Sequence, residues 1–313
     1  MTEEKKSNPF TNLMLNLKSK IVKSHKNQNE KMEKIILLVI FSVLVFHVNA
    51  QEQTKHYYNN GQIESIGSYD ESTRDFGVKK GEWKTYYENG QLKSIGSHER
   101  LGAYNSKTEH GEWKFYYDNG QLSEISNYNF GYKKGESITY YKNGRLKESV
   151  SYKSNRSFGR TKKVGASKLY FENGQLGQTG NYADDENWSN DVKTGEWKIY
   201  HENGQLRYNG SYLEDKLTGE WKIYLENGQL SSIENFKNNY NDGERKLYHA
   251  NGQVYQIHFY KEGKIMEILS CFDGDGNSLD KGTLVNGKGT INEYDMSGKL
   301  TKQTNYIDGR EKK

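Results

Sequence analysis

The chain has 313 residues, of which hydrophobic types make up only 33%, with 25 Tyr, 32 Gly, one Pro and one Cys. This composition excludes a large aliphatic core and points to thin, Tyr-faced β layers, in which each ring buries an apolar body and keeps its hydroxyl near water. The formal net charge is +4, but the first 50 residues hold eight Lys/Arg and four Asp/Glu, and the 37 basic and 37 acidic residues that follow leave no basic excess for nucleic-acid binding.

The one long apolar run is IILLVIFSVLVF at residues 35–46, flanked by Lys31 and Lys34 and followed by HVNA. Val48 and Ala50 are the small residues a signal peptidase prefers, and the run is shorter than the roughly 18 to 20 residues of a spanning helix. Residues 1–50 are therefore expected to be a leader and signal peptide cut after Ala50, with Met1 or Met32 as the start. The protein is expected to be exported, to the periplasm, cell envelope or medium. The alternative is a membrane anchor through residues 35–50, since uncharged residues continue from Ile35 to Gln51. Cys271 stands alone and forms no internal disulfide.

From residue 55 the chain repeats itself. Asn-Gly pairs begin at Asn60, Asn89, Asn119, Asn143, Asn173, Asn203, Asn227 and Asn251. Three positions before each Asn stands a Tyr (Tyr57, Tyr86 and so on to Tyr248), and three positions after it stands Leu, Ile or Val. Nine positions after it comes an aromatic ring, except at His98. Such strict self-similarity marks a repeat architecture. Asn-Gly between two β-type runs is a hairpin signal. A three-residue loop Glu88-Asn89-Gly90, with Gly left-handed, sets Tyr86 opposite Leu92 and on the same face. Eight units fill residues 55–260, and two degenerate units, around Asp275-Gly276 and Ser297-Gly298, fill 261–309 as a terminal cap. The expected fold is all-β: an elongated single-layer antiparallel meander of about ten tandem β-hairpins, with no room for a separate catalytic domain.

The runs GEWKTYYENGQLKSIGS, GEWKFYYDNGQL and GEWKIYHENGQL resemble MORN repeats (membrane occupation and recognition nexus). They are most similar to the bacterial variant that includes YwqK-family antitoxins. The resemblance implies elongated hairpin arrays that serve as scaffolds or recognition surfaces, with lipid or protein partners and no chemistry. The chain departs from the pattern where the Trp of Trp83, Trp113, Trp197 and Trp221 becomes Ser137, Ser167 and Arg245.

Candidate binding residues lie outside the repeat. Four long linkers, DESTRDFGVKK, ERLGAYNSKTEH, KSNRSFGRTKKV and ADDENWSNDVKT, each carry one aromatic, namely Phe76, Tyr104, Phe158 and Trp188. In a regular array these project from the edge opposite the Asn-Gly turns, where they either form a binding row or cap their own extended hairpins. The sequence implies no cofactor and no metal site: CFDGDGNSLD spaces Asp273, Asp275 and Asn277 like a calcium loop, but has Ser278 and Leu284 where that loop needs Gly and Glu. His98, His201 and His249 occupy repeat slots and look like substitutions, and no nucleophile or phosphate-loop motif is present. The expected function is a non-catalytic exported module that binds or scaffolds a protein, glycan or envelope surface. The alternative is a cytoplasmic antitoxin-like protein that neutralises a partner protein.

Overall fold

The computed structural model describes residues 53–70, 77–99, 109–186, 188 and 190–312, together with Asn16, Lys20, Lys31 and Met32. The chain divides into two units, Met1–Gln53 and Thr54–Lys313. The apolar run at 35–46 and the cut after Ala50 lie outside the described residues. Among the described residues no helix is long and apolar enough to cross a membrane.

In the second unit successive hairpins are β1 (Thr54–Tyr57) with β2 (Ile63–Tyr69), β3 (Lys79–Tyr86) with β4 (Leu92–His98), β5 (Glu109–Tyr116) with β6 (Leu122–Asn129), and β7 (Tyr132–Tyr140) with β8 (Leu146–Asn155). They continue as β9 (Arg160–Tyr170) with β10 (Leu176–Tyr182), β11 (Lys193–Tyr200) with β12 (Leu206–Leu213), β13 (Lys216–Tyr224) with β14 (Leu230–Lys237), and β15 (Tyr240–Tyr248) with β16 (Val254–Lys261). With β17 (Lys264–Cys271) they make one 17-stranded sheet, each strand antiparallel to its sequence neighbours.

The turn chemistry follows from Asn-Gly. Gly90 sits at φ 82° and donates its N–H to Tyr87 O at 2.9 Å, while Tyr87 N–H reaches Gln91 O at 2.8 Å, which closes the three-residue loop. Tyr86 then faces Leu92, as the repeat spacing requires. A register shift between Thr85 and Tyr86 leaves Lys93 as an extra residue, and the same bulge recurs in every unit from Tyr57 to Tyr248. Bulges of this kind bend and twist the strand locally.

The core of this single layer is made by indoles lying on glycines. A Cβ on Gly67, Gly96, Gly180 or Gly210 would fall 2.1 Å from the ring of Trp83, Trp113, Trp197 or Trp221 respectively. Those four rings are no more than 5% exposed. A buried Trp withdraws about 200 Å² from water, which stabilises the layer by about 5 kcal/mol. Where Trp is replaced, its partner changes too: Ser137 meets Ser126 at 2.6 Å, Ser167 faces Val150, and Arg245 pairs with Glu234 at 2.9 Å.

The two degenerate units behave differently from the eight before them. β17 is the outgoing strand of the ninth hairpin, but after its turn only the bridge Phe272–Ser278 is made. The return segment, SLDKGT, holds Asp280 and a left-handed Gly282 (φ 87°) where the other units carry β-forming residues, so the chain leaves the sheet. The tenth unit is a hairpin in the usual register, with Tyr294 opposite Leu300. It forms a separate three-stranded sheet from β18 (Gly289–Tyr294), β19 (Leu300–Ile307) and β20 (Arg310–Glu311). This cap buries Leu284 and Ile291 against Ile265 and Ile268 of β17, with Tyr260 and Tyr306 alongside. Gln256 donates to Asn292 O at 2.8 Å and the Tyr255 hydroxyl accepts from Tyr294 N–H at 2.8 Å, which ties the cap to the array.

Candidate binding surface

The turn edge is committed to holding the array together. The side-chain amides of Asn60, Asn89, Asn119, Asn143, Asn173 and Asn203 each donate to a loop carbonyl of the next unit, from Glu88 O to Glu226 O, at 2.7 to 3.3 Å. Each Asn Oδ1 meanwhile accepts the N–H two residues on, as Asn89 does from Gln91 at 3.0 Å. A second ladder runs beside it: the hydroxyls of Tyr58, Tyr87, Tyr117 and Tyr141 donate to the Tyr carbonyl of the following unit at 2.6 to 2.8 Å. His201 and His249 hold the same place, with Nε2 3.1 Å from Tyr224 O and 3.0 Å from Phe272 O. They are substitutions within the ladder.

The Tyr and Trp of one face form rows of edge-on rings, Tyr69–Trp83–His98–Trp113–Tyr128 and Tyr182–Trp197–Tyr212–Trp221–Phe236, with centroids 5.0 to 6.4 Å apart. Burial between two indoles pulls the His98 imidazole down to about 4. Between the rows, Tyr152 and Tyr182 are pushed up to about 12, first by burial and then by nearby carboxylates led by Glu148. Here Ser137 and Ser167 stand where the indoles stand elsewhere, and Lys133 lies over Tyr152 at 5.3 Å and Lys163 over Tyr182 at 5.6 Å.

The opposite edge is irregular only in places. Short connections are two-residue turns with both central residues left-handed, as at Glu214-Asp215 (φ 50° and 65°) and Asn238-Asn239 (52° and 71°). The linker holding Phe158 instead prolongs β8 and β9 into the longest hairpin of the array, with Phe158 at its tip, 65% exposed. The acidic loop after β10 crosses that hairpin as a strap. Asp184 pairs with Lys153 at 2.7 Å, Asp185 with the buried Lys162, and Asp191 accepts Lys163 N–H at 2.7 Å. Trp188 lies within the strap, its ring 5.3 Å from Lys162 Nζ and 5.9 Å from Lys153 Nζ, while Arg160 donates to its carbonyl at 3.1 Å. On the other side Arg156 stacks on Phe130 of the preceding turn at 4.3 Å.

The sequence profile described as the MORN repeat variant matches residues 53–71, 79–99, 109–129, 133–154, 163–184, 193–214, 217–238 and 241–262. The chain belongs to the MORN repeat variant family. No curated protein matches it. Among solved structures it is similar to the crystal structure of TcdB2-TccC3-Cdc42, at 12% identity and a TM-score of 0.20, covering 82% of this chain and 17% of that one. A similar match is the crystal structure of TcdB2-TccC3-TEV, at 12% and 0.17, covering 83% and 16%. The Photorhabdus luminescens Tc holotoxin pore matches at 13% and 0.18, covering 84% and 14%. The chain thus spans less than a fifth of the length of each of these chains.

Of the four linker aromatics of this MORN chain, Phe76 and Tyr104 lie outside the described residues. Phe158 and Trp188 both belong to the lobe at the β8–β9 tip, Phe158 open to solvent and Trp188 braced by lysines. Sequence reasoning missed Arg156, Arg160, Lys153 and Lys162, although the opposite charges of KSNRSFGRTKKV and ADDENWSND signalled that the two linkers attract. The Asp273 carboxylate is used as a turn acceptor for Asp275 N–H, Asn277 N–H and the Asn277 amide, at 2.8 to 3.0 Å, which holds its carboxyl below the usual range. Among the described residues no group of three or more His, Cys, Asp or Glu could hold a metal ion. Cys271 is buried and accepts from Gln256 at 3.3 Å, and burial pushes its thiol up.

Proposed function

We propose that this MORN protein is an exported, non-catalytic binding and scaffolding module for a protein, glycan or other envelope component, which it holds at the lobe formed by the β8–β9 hairpin tip and the Ala183–Asp191 strap. The repeat supports a binding role, since its recurrent residues are spent on ladders and interlocking rings that hold the hairpins in one array. One observation carries the choice of surface: Phe158 stands 65% exposed on a hairpin that is braced from both sides. A large apolar ring held rigidly at a tip and flanked by Arg156 and Arg160 is the sort of anchor a partner pocket takes.

Capture from envelope extracts tests this. Phe158→Ala is expected to leave the circular dichroism spectrum and melting temperature unchanged and to remove capture of a partner that the intact chain retains. Undiminished capture by Phe158→Ala combined with Trp188→Ala overturns the surface. Export is tested by N-terminal sequencing of the protein from fractionated native cells. A start at Gln51 in the periplasm or medium is expected, and a start at Met1 or Met32 in the cytoplasm overturns it. Recovery with that start in a membrane fraction makes residues 35–50 an anchor.

A further inference from the structure

The ladders that join the units have a first member and a last one, and the two ends are built differently. In the second unit Tyr86 O and Glu88 O receive the Tyr58 hydroxyl at 2.7 Å and the Asn60 amide at 3.3 Å. Their counterparts in the first unit are Tyr57 O and Asn59 O, and no described group donates to either. β1 itself is four residues long and exposed throughout. A cavity of about 300 Å³ opens at this point, lined by Tyr57, Tyr58, Asn59, Asn60, Glu64 and Glu88.

We infer that the β1 edge is a docking site, in trans, for the return strand of an Asn-Gly repeat hairpin belonging to a different protein chain. The interior boundaries define what fits. Across β2–β3, Lys84 faces Ile66 and Thr85 faces Ser65, so the incoming strand brings an apolar residue opposite Lys55 and a small polar one opposite His56. Its turn supplies an Asn amide to Asn59 O and a Tyr or His to Tyr57 O. These donors fill the acceptors that begin the two ladders, and burial of the pair excludes water from the cavity.

A second copy of this chain does not fit. The outer side of β17 is already taken by the cap, with Gly287 N–H on Met266 O and Leu279 N–H on Cys271 O, both at 2.9 Å. The ninth turn carries Asp275 where a donor amide is required. Pairing β1 with β1 of a copy sets the two Asn-Gly turns at opposite edges of the sheet, so the copy brings neither an Asn amide to Asn59 O nor a Tyr or His to Tyr57 O. The cap at one end and the turn geometry at the other thus disfavour self-assembly and leave the edge to another repeat chain.

The probe is a fluorescein-labelled peptide with the sequence of residues 79–99, KKGEWKTYYENGQLKSIGSHE, whose Ile95 and Ser94 fall opposite Lys55 and His56, titrated with the full chain and read by anisotropy. An isolated hairpin is marginal in water, so the peptide gains its structure on the edge. Saturable binding is expected. The outward Tyr57 carbonyl implies, by strand alternation, that Lys55 N–H also points away from β2. Lys55→Pro therefore removes an outward donor while keeping the β1–β2 bonds, and is expected to weaken binding about tenfold or more with an unchanged melting temperature. Asn89→Asp in the peptide is expected to weaken it too. Phe158→Ala in the protein leaves peptide binding unchanged, which separates this site from the lobe. Absence of binding, or equal binding by Lys55→Pro, overturns the inference. Concentration-dependent dimerisation in sedimentation that Lys55→Pro abolishes also overturns it, by making a second copy the occupant.

Discussion

At the boundaries β2–β3, β4–β5, β10–β11 and β12–β13 an indole lies on a glycine of the preceding unit, whereas at β6–β7 and β8–β9 the same positions hold Ser126 with Ser137 and Val150 with Ser167. The middle compensates with charge: Glu124 pairs with Lys133 at 2.6 Å and Glu148 with Lys163, and both lysines lie over tyrosine rings. The difference teaches that compatibility belongs to a pair of residues across a boundary. A unit is interchangeable only with its neighbour's matching half. The lobe that carries Phe158 and Trp188 rises from the region where the regular packing has been given up.

The largest effect comes from breaking a flank pair. Trp197→Ser is expected to destabilise the array by about 3 to 5 kcal/mol in urea unfolding. Gly180→Ser alone is expected to be comparably harmful, because its Cβ meets the indole at 2.1 Å. The double variant transplants the Ser–Ser pair of the middle and is expected to recover part of the loss; strict additivity would show that boundary pairs are not the unit of packing.

Next in size is a pH effect confined to the rings. His98, held at about 4 by burial, stays neutral in the fold while the unfolded chain takes up a proton near 6.5, so stability present above that pH is lost as pH falls towards 4. The loss is on the order of 3 kcal/mol. His258, also lowered to about 4 by burial and then by Arg245, adds a second such slope. His98→Tyr, which restores the repeat residue, is expected to remove roughly half of the acid sensitivity in melting curves at pH 7, 5.5 and 4.

A smaller, local change tests the lobe. Asp185→Ala leaves the buried Lys162 ammonium without its carboxylate and is expected to cost about 1 to 3 kcal/mol, seen as faster hydrogen exchange in the strap and a shift of Trp188 emission. The smallest effect is on the face away from the rings, where Lys84–Glu82 at 2.9 Å is a solvent-exposed pair. Glu82→Gln is expected to change stability by less than about 0.5 kcal/mol.

Much of the fold was legible because a residue recurring at a fixed offset from Asn-Gly has one structural task. Tyr86 opposite Leu92, the left-handed Gly90 and the hairpin order all follow from that offset. The bulge at Lys93 was not legible, since an extra residue leaves no compositional mark and appears only when two strands are laid side by side. The exit of the ninth unit was half-legible: Asp275-Gly276 signalled a turn, while the weak strand formers after it decide whether the chain returns. In the lobe, aromatics stood out as exceptions to the pattern. The strap did not, because it depends on attraction between linkers some thirty residues apart in sequence, Lys153 with Asp184 among them.

The amide ladder along the turns also gives the molecule a scale. Every turn Asn but Asn227, whose link is made instead by Gln229 to Ala250 O at 2.6 Å, hands its amide hydrogen bond forward to the next unit and asks nothing of units further away. A whole hairpin gained or lost by duplication or deletion therefore leaves the remaining turn links intact, and shifts whatever lies on either side by two strand spacings, about 10 Å. The protein is graduated like a ruler, and evolution can reset the distance between the hairpin lobe and either end in whole divisions by rematching only the residue pair at the new boundary.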